Sequence, residues 1–182
     1  MRVYLETERL ILRRFTESDE DHLFALHNDP EVMRYLNGGQ PTPRETIVER
    51  TLPRFVAGGF FAALEKPSGA FLGWFHLRPA ENGSDEEPEL GYRLHKAAWG
   101  RGVATEGSLA LIDKAFAELG ARRVFAQTMA VNLGSRRVME KCGLRLVRTF
   151  HLEGFEAIEG SEHGEVEYEL LRSGWEAARD RH

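Results

Sequence analysis

The chain holds one cysteine, Cys142, so no disulfide can form within it. Lying just before a glycine, that cysteine is expected to be a small buried residue rather than a nucleophile. The seven histidines are scattered and nowhere join Cys, Asp or Glu at ligand spacing, so no metal is expected. No apolar run approaches membrane-spanning length, and MRVYLETERL lacks the apolar centre of a secretory signal. From these absences follow an expected cytoplasmic location and no membrane partner. Positive charge is in deficit: 24 Lys and Arg stand against 29 Asp and Glu, a net charge of -5, which argues against nucleic-acid binding and mildly favours a cationic partner. Repeats, low-complexity tracts and interdomain linkers are also missing. With 182 residues, 42% hydrophobic and 29% charged, a single domain over residues 1–182 is expected, as monomer or homodimer.

What is present is organised around Glu89 to Phe116, ELGYRLHKAAWGRGVATEGSLALIDKAF. Leu90, Tyr92 and Leu94 alternate with Glu89, Gly91 and Arg93, the period of a half-buried strand. Gly100 and Gly102 flank Arg101, and a helix is predicted from about Val103, with Leu109, Ile112, Phe116 and Leu119 on its apolar face. The start of a helix offers unpaired N–H groups and partial positive charge, so a pyrophosphate suits it. Glycines allow close approach there, and Arg101 either adds a charge-assisted contact or is a plain surface arginine.

Taken in order, Arg9 to Phe15 reads as the first strand. Ser18 is placed to cap a helix through about His27, Asp29-Pro30 to open another through Leu36, and Thr42-Pro43-Arg44-Glu45 to cap a third to about Val56, kinked at Pro53. Phe60 to Glu65 and Ala70 to Leu77 read as a hairpin, Arg123 to Met129 as a strand, and Asn132 to Cys142 as a helix stopped by Gly143. Leu144 to Leu152 and Glu165 to Leu171 close the list of strands, and Ser173 is placed to cap a last turn holding Trp175. This order predicts an α/β (α+β) mixed sheet with helices on it rather than a βαβ repeat.

Two blocks, GYRLHKAAWGRGVATEG after Glu89-Leu90 and NLGSRRVMEKCGL from Asn132, resemble the GCN5-related N-acetyltransferase (GNAT) superfamily. TERLILRRFTESD and NDPEVMRYL are similar to its branch of ribosomal-protein N-terminal acetyltransferases, and the match runs to about Phe150. The superfamily's phosphate pattern begins with Gln or Arg, where this chain has Trp99. The resemblance implies a mostly antiparallel sheet of about six to seven strands flanked by helices, in which the Glu89 and Arg123 strands splay apart. The gap would take the pantetheine arm of acetyl-CoA, contacted by the backbone of Tyr92, Arg93 and Leu94. Gly100, Arg101, Gly102, Val103, Ala104 and Thr105 would hold the pyrophosphate, Asn132 the pantetheine amide, and Ser135 would sit near the thioester.

The chemistry sets its own demands. An alkylammonium has a pKa of about 10.4, so holding the amine neutral near pH 7.4 costs about 4 kcal/mol. Glu89 is the candidate general base, with a merely solvated strand carboxylate as the competing reading. Ser135 is the candidate hydroxyl for the leaving thiolate; relatives often use a tyrosine, but Val138 and Met139 stand at the later helix positions. Asn132 is also a natural helix cap, compatible with cofactor contact. The carboxylates from Glu153 to Glu169 contain no Lys or Arg between them and are the candidate surface facing a cationic acceptor, which could be a protein N-terminus, a lysine or a small-molecule amine. Two other classes compete. A dinucleotide-binding oxidoreductase would need Gly or Ala where Thr105 stands and a strand running straight into Gly100. An acetyl-CoA-binding sensor without turnover would need only the cradle.

Overall fold

The computed structural model describes residues 2–154 and 158–181. Among them are strands β1 (Val3–Glu6), β2 (Leu10–Arg14), β3 (Phe60–Glu65), β4 (Phe71–Pro79), β5 (Pro88–Leu94), β6 (Arg123–Met129), β7 (Arg145–Phe150) and β8 (Glu165–Leu171). Between them lie helices α1 (Glu20–His27), α2 (Pro30–Asn37), α3 (Arg44–Thr46), α4 (Leu52–Ala57), α5 (Val103–Ala117), α6 (Leu133–Lys141) and α7 (Arg172–Arg179). The strands make a mixed, mostly antiparallel sheet of eight in the order β1-β2-β3-β4-β5-β6-β8-β7. The parallel neighbours are β5 and β6. The eighth strand is β1, which sequence patterning missed because its four residues are exposed or half-buried and its register shifts between Val3 and Leu5. Aromatic stacking holds it instead, with the Tyr4 ring 4.0 Å from that of Phe61 on β3.

The chain forms two compact units, Met1–His76 with Tyr92–Gly107, and Leu77–Gly91 with Ser108–His182. In the first, α1, α2 and α4 bury Leu23, Leu26, Val32, Met33, Leu52 and Phe55 against Phe60, Ala62 and Trp74 of the strands. The Phe55 ring stacks on Phe60 at 3.9 Å and meets Trp74 edge-on at 5.1 Å, geometries that add to simple area burial. Two predicted caps are replaced. Ser18 bonds the Thr16 hydroxyl at 2.7 Å, while Asp19 begins the helical path by accepting the Thr16 N–H at 2.9 Å and both Arg13 nitrogens at 2.9 and 2.7 Å. Thr42 likewise does not cap α3; its N–H goes to Asn28 Oδ1 and its hydroxyl to the His27 carbonyl. The kink expected at Pro53 is a π turn, Ile47–Thr51, closed by Leu52 N–H to the Ile47 carbonyl. That wider turn fits the proline's missing N–H and its ring, which would clash in a regular helix.

In the second unit β6 pairs with β8 along all seven residues from Arg123↔Leu171 to Met129↔Glu165, and β7 adds to the other side of β8. The C-terminal part of α5 buries Leu111, Ile112, Ala115 and Phe116, while Leu109 and Leu119, assigned to the apolar face from their spacing, are 39% and 51% exposed. The helix is apolar over much of its circumference, so periodicity admitted two faces and packing chose between them. Ser173 is not a cap, since α7 already begins at Arg172. Arg172 instead reaches back to the carbonyls of Phe116 and Ala121 at 2.8 and 2.6 Å. Trp175 donates to Asp113 at 2.8 Å and stacks on Phe116 at 5.3 Å, so the segment is a full amphipathic helix anchored on α5.

Candidate functional site

Within the first unit, β5 leads through a 3-10 turn at Lys96–Ala98 into Trp99, Gly100, Arg101, Gly102 and the start of α5. Both glycines have left-handed backbones, with φ of 71° and 77°, which residues with a Cβ adopt at a cost. A Cβ built on Gly100 would meet no atom within 4 Å and would instead project into the open space beside the turn. The first helical bond runs from the Glu106 N–H to the Gly102 carbonyl at 3.0 Å, so the N–H groups ahead of it point out of the helix end. The turn is therefore shaped for an anion, and the residues present fit the pyrophosphate of acetyl-CoA.

Several bonds fix this turn. The Glu106 carboxylate takes the Thr7 hydroxyl at 2.5 Å and the Arg9 N–H and Nε at 2.9 and 2.7 Å. Burial pushes that carboxyl up, but the Thr7 and Arg9 hydrogen bonds outweigh it and hold it below the usual range. Arg9 also donates to the Arg101 carbonyl at 2.8 Å, turning that oxygen back into the protein. Arg101 itself forms an ion pair with Glu65 at 2.7 Å, so its side chain is occupied as well as suited to phosphate. Trp99, where the superfamily pattern has Gln or Arg, donates its indole N–H to the Leu94 carbonyl at 2.9 Å and ties the turn to the end of β5.

The backbone of β5 divides by strand alternation. A Cβ on Gly73 would fall 2.1 Å from the Arg93 carbonyl, and the His95 N–H bonds the Leu72 carbonyl at 2.8 Å, so Arg93 and His95 present their peptide groups to β4. Tyr92 and Leu94 present theirs the other way. Of the three residues expected to bind pantetheine through the backbone, Arg93 is thus turned from that role, and the Leu94 carbonyl is engaged by Trp99. The Tyr92 ring rests 5.9 Å from that of Phe75.

In the second unit, one registered pair, Glu89↔Phe125, joins β5 to β6. Asn132 caps α6 as expected, its Oδ1 accepting the Ser135 N–H at 3.2 Å. Glu89 and Ser135 are both half-buried. Cys142 is buried, and burial pushes its thiol up to about 12, which leaves it protonated and inert as expected. The acidic run behaves differently from its appearance in sequence. Glu167 is buried and accepts from Gln127, Arg123 and Arg148 at 2.7, 2.8 and 3.1 Å, and Glu169 pairs with Arg123. Burial raises the Glu167 carboxyl, yet those hydrogen bonds hold it low overall, whereas burial raises Glu165. The cations come from β6 and β7, distant in sequence, so Glu167 and Glu169 are neutralised within the protein rather than turned to a substrate. Glu156 lies outside the described residues.

Sequence reasoning missed a cluster in the first unit made by His27, Trp74 and the Arg93 side chain. His27 Nε2 accepts from Trp74 Nε1 at 3.1 Å and from Arg93 Nη1 at 3.2 Å. Burial and then the nearby Arg93 charge pull the imidazole down to about 3, so it is neutral and protonated on Nδ1 at physiological pH. Nothing in the sequence joins residues that stand 47 and 66 positions apart. Among the described residues no group of three or more His, Cys, Asp and Glu could hold a metal ion, and no helix is long and apolar enough to cross a membrane.

An acetyltransferase (GNAT) domain model matches residues 9–145. The chain is 35% identical over 181 residues to a protein named FsC-acetyl coenzyme A-N(2)-transacetylase from Aspergillus fumigatus, covering 94% of this chain and 77% of that one. Its fold is similar to the crystal structure of a GNAT-family acetyltransferase from Bacillus anthracis, with TM-score 0.79 and 22% identity over 95% of this chain and 99% of the other. It is also similar to spermidine N-acetyltransferase from Vibrio cholerae in complex with CoA and spermine, with TM-score 0.77 and 17% identity over 93% and 99% of the two chains. With the cradle at α5 and these likenesses together, the chain belongs to the GNAT acetyltransferase family and is an acetyl-CoA-dependent acetyltransferase.

Proposed function

We propose that the protein, acting as one catalytic domain over residues 1–182 and as monomer or homodimer in the cytoplasm, acetylates the primary amine of a small molecule by direct attack in a ternary complex. The observation that carries this reading is the Gly100–Thr105 turn, opened by two left-handed glycines and fixed by Glu106, Arg9 and Trp99. Acetyl-CoA supplies the activated acyl group as a thioester. The N–H groups at the start of α5 bind its pyrophosphate, Tyr92 and Leu94 present backbone on the edge of β5 turned from β4, and Asn132 combines its cap with a contact to the pantetheine amide. Glu89 takes the proton that the amine must lose, directly or through water, and Ser135 stabilises the departing thiolate. A small acceptor is favoured because a structural neighbour named above is a spermidine N-acetyltransferase in complex with CoA and spermine. A protein N-terminus is the second reading, supported by the likeness of TERLILRRFTESD and NDPEVMRYL to the ribosomal-protein branch.

Thiol release from acetyl-CoA across a panel of small amines and N-terminal peptides tests both. Turnover is expected with at least one small amine, and turnover with peptides alone would select the second reading. Tight acetyl-CoA binding with no thiol release from any amine would make the protein a sensor. Calorimetric titration should show acetyl-CoA binding far better than NAD, which has no pantetheine arm to lie along β5.

A further inference from the structure

The Arg93 side chain is half-buried, with its Nε fully covered, and has no carboxylate partner among the described residues. Its Nη1 donates to the neutral His27, its face lies 5.0 Å from the centre of the Trp74 ring, and its Nε is buried with no hydrogen bond at all. The other charge that acts on it is Arg54, of like sign, whose own guanidinium lies 5.1 Å over the Phe60 ring. Burial and then Arg54 lower the Arg93 pKa to about 10, so the group remains charged at neutral pH. His27 cannot be the counter-ion, since it is neutral and already shares its one acceptor between Trp74 and Arg93. A covered cation without a counter-ion is costly, and an anion supplied from outside would offset that cost.

The face on which Arg93 lies identifies the source of that anion. Phe75 packs beneath α5, closely enough that a Cβ on Gly107 would stand 2.3 Å from its ring. Trp74, the adjacent residue, therefore points to the opposite face of β4, where it meets His27 of α1 and Phe55 of α4. Arg93 lies over Trp74 on that same face. The pyrophosphate cradle at the start of α5 is on the other side of the strand and makes no demand on it. At the same time Arg93 sits between Tyr92 and Leu94, the residues proposed to line the pantetheine arm.

Resting on the acetyltransferase reading above, we infer that Arg93, with Trp74 as a platform, binds a carboxylate on the acceptor, so that the substrate class is an amine that also carries an acid group. The planar fork of Arg93 suits a carboxylate, because Nε and Nη2 have no protein partner among the described residues and lie on one edge of the guanidinium, as a bidentate pair requires. This adds an acid group to the expectation from net charge, which mildly favoured a cationic partner.

The test uses the whole protein saturated with CoA and titrated with ω-amino carboxylates from β-alanine to 6-aminohexanoate, each beside its carboxamide and its plain alkylamine. At least one amino carboxylate is expected to bind about tenfold or more tighter than its carboxamide, the scale of a charge-assisted hydrogen bond. Arg93→Met should abolish that preference, Arg93→Lys should keep part of it, and calorimetry should show acetyl-CoA affinity unchanged in both. Without ligand, Arg93→Met should have a Tm equal to or above wild type, because it removes a covered charge that has no counter-ion among the described residues. Equal binding of acid and carboxamide to the wild type, or a preference that survives Arg93→Met, would overturn the proposal. Thiol release is measured separately: a bound amino carboxylate that is never acetylated would count against the proposed reaction while leaving the anion site standing.

Discussion

Gly107 is helical, with no unusual backbone angle, yet it is fixed by packing because a methyl there would enter the Phe75 ring. Gly107→Ala, which favours helix by propensity, should therefore lower stability by about 1–3 kcal/mol as an overpacked core does, read as a fall in denaturant midpoint with unchanged slope. Gly73 is held more tightly, since its φ of 139° and the Arg93 carbonyl 2.1 Å from a built Cβ both exclude a side chain. On the chemical side, Glu89→Gln should lower turnover by about a hundredfold at neutral pH with acetyl-CoA affinity intact. Its rate should recover at high pH, where the amine is already neutral, whereas Ser135→Ala should show no such recovery. Wild-type turnover in Glu89→Gln would remove Glu89 from the mechanism.

The turn into α5 works as an element because one end is clamped by a residue far away in the chain and the other by a local bond. Glu106 and Arg9 hold the first helical turn, and Trp99 holds the loop to Leu94. Gly102→Ala should shift the turn away from its φ of 77° and weaken acetyl-CoA binding by calorimetry while circular dichroism stays native, since a Cβ there would meet only the end of the Arg9 side chain at 3.4 Å. Unchanged affinity would place the phosphates elsewhere. The cap on α6 gives a second element-level outcome. Asn132→Ala should cost about 1 kcal/mol of stability through the lost bond to the Ser135 N–H, and should also weaken acetyl-CoA binding if the same amide meets pantetheine.

Across the molecule, the buried His27 and the half-buried His95 shape the response to acid. The folded His27 has a pKa of about 3 against 6.5 in the unfolded chain, so between those values the unfolded chain binds a proton that the folded chain refuses. Stability must then fall as pH is lowered from 6.5, by at most about 1.4 kcal/mol per pH unit for this group, and His95, also lowered by burial, acts in the same direction. Further down, Asp19 and Glu167 join. Burial raises each, but the hydrogen bonds that outweigh it keep both below their ordinary values, so their contribution is lost as they protonate. Scanning calorimetry should show Tm declining from pH 7 to 5, with a shallower slope in His27→Gln; an identical slope would mean that His27 titrates normally.

The sequence by itself determined the strand–turn–helix at residues 89–116, the hairpin of β3 and β4, the Asn132 cap and the inert Cys142, because each depends on neighbours within a few positions: alternation, glycine backbone freedom, a side chain reaching its own helix start. It also carried the family, since GYRLHKAAWGRGVATEG and NLGSRRVMEKCGL are contiguous. Only the tertiary structure decided which face of α5 is buried, why Trp99 can stand at the head of the cradle, and that Arg123 and Arg148 neutralise Glu167 and Glu169 at the end of an acidic run that looks open in one dimension. It alone placed Arg93 over Trp74 and against a neutral His27, with no carboxylate paired to it among the described residues. Charge balance in a low-dielectric interior is set by groups within a few ångströms, and the chain brings those together from positions its local patterns do not relate.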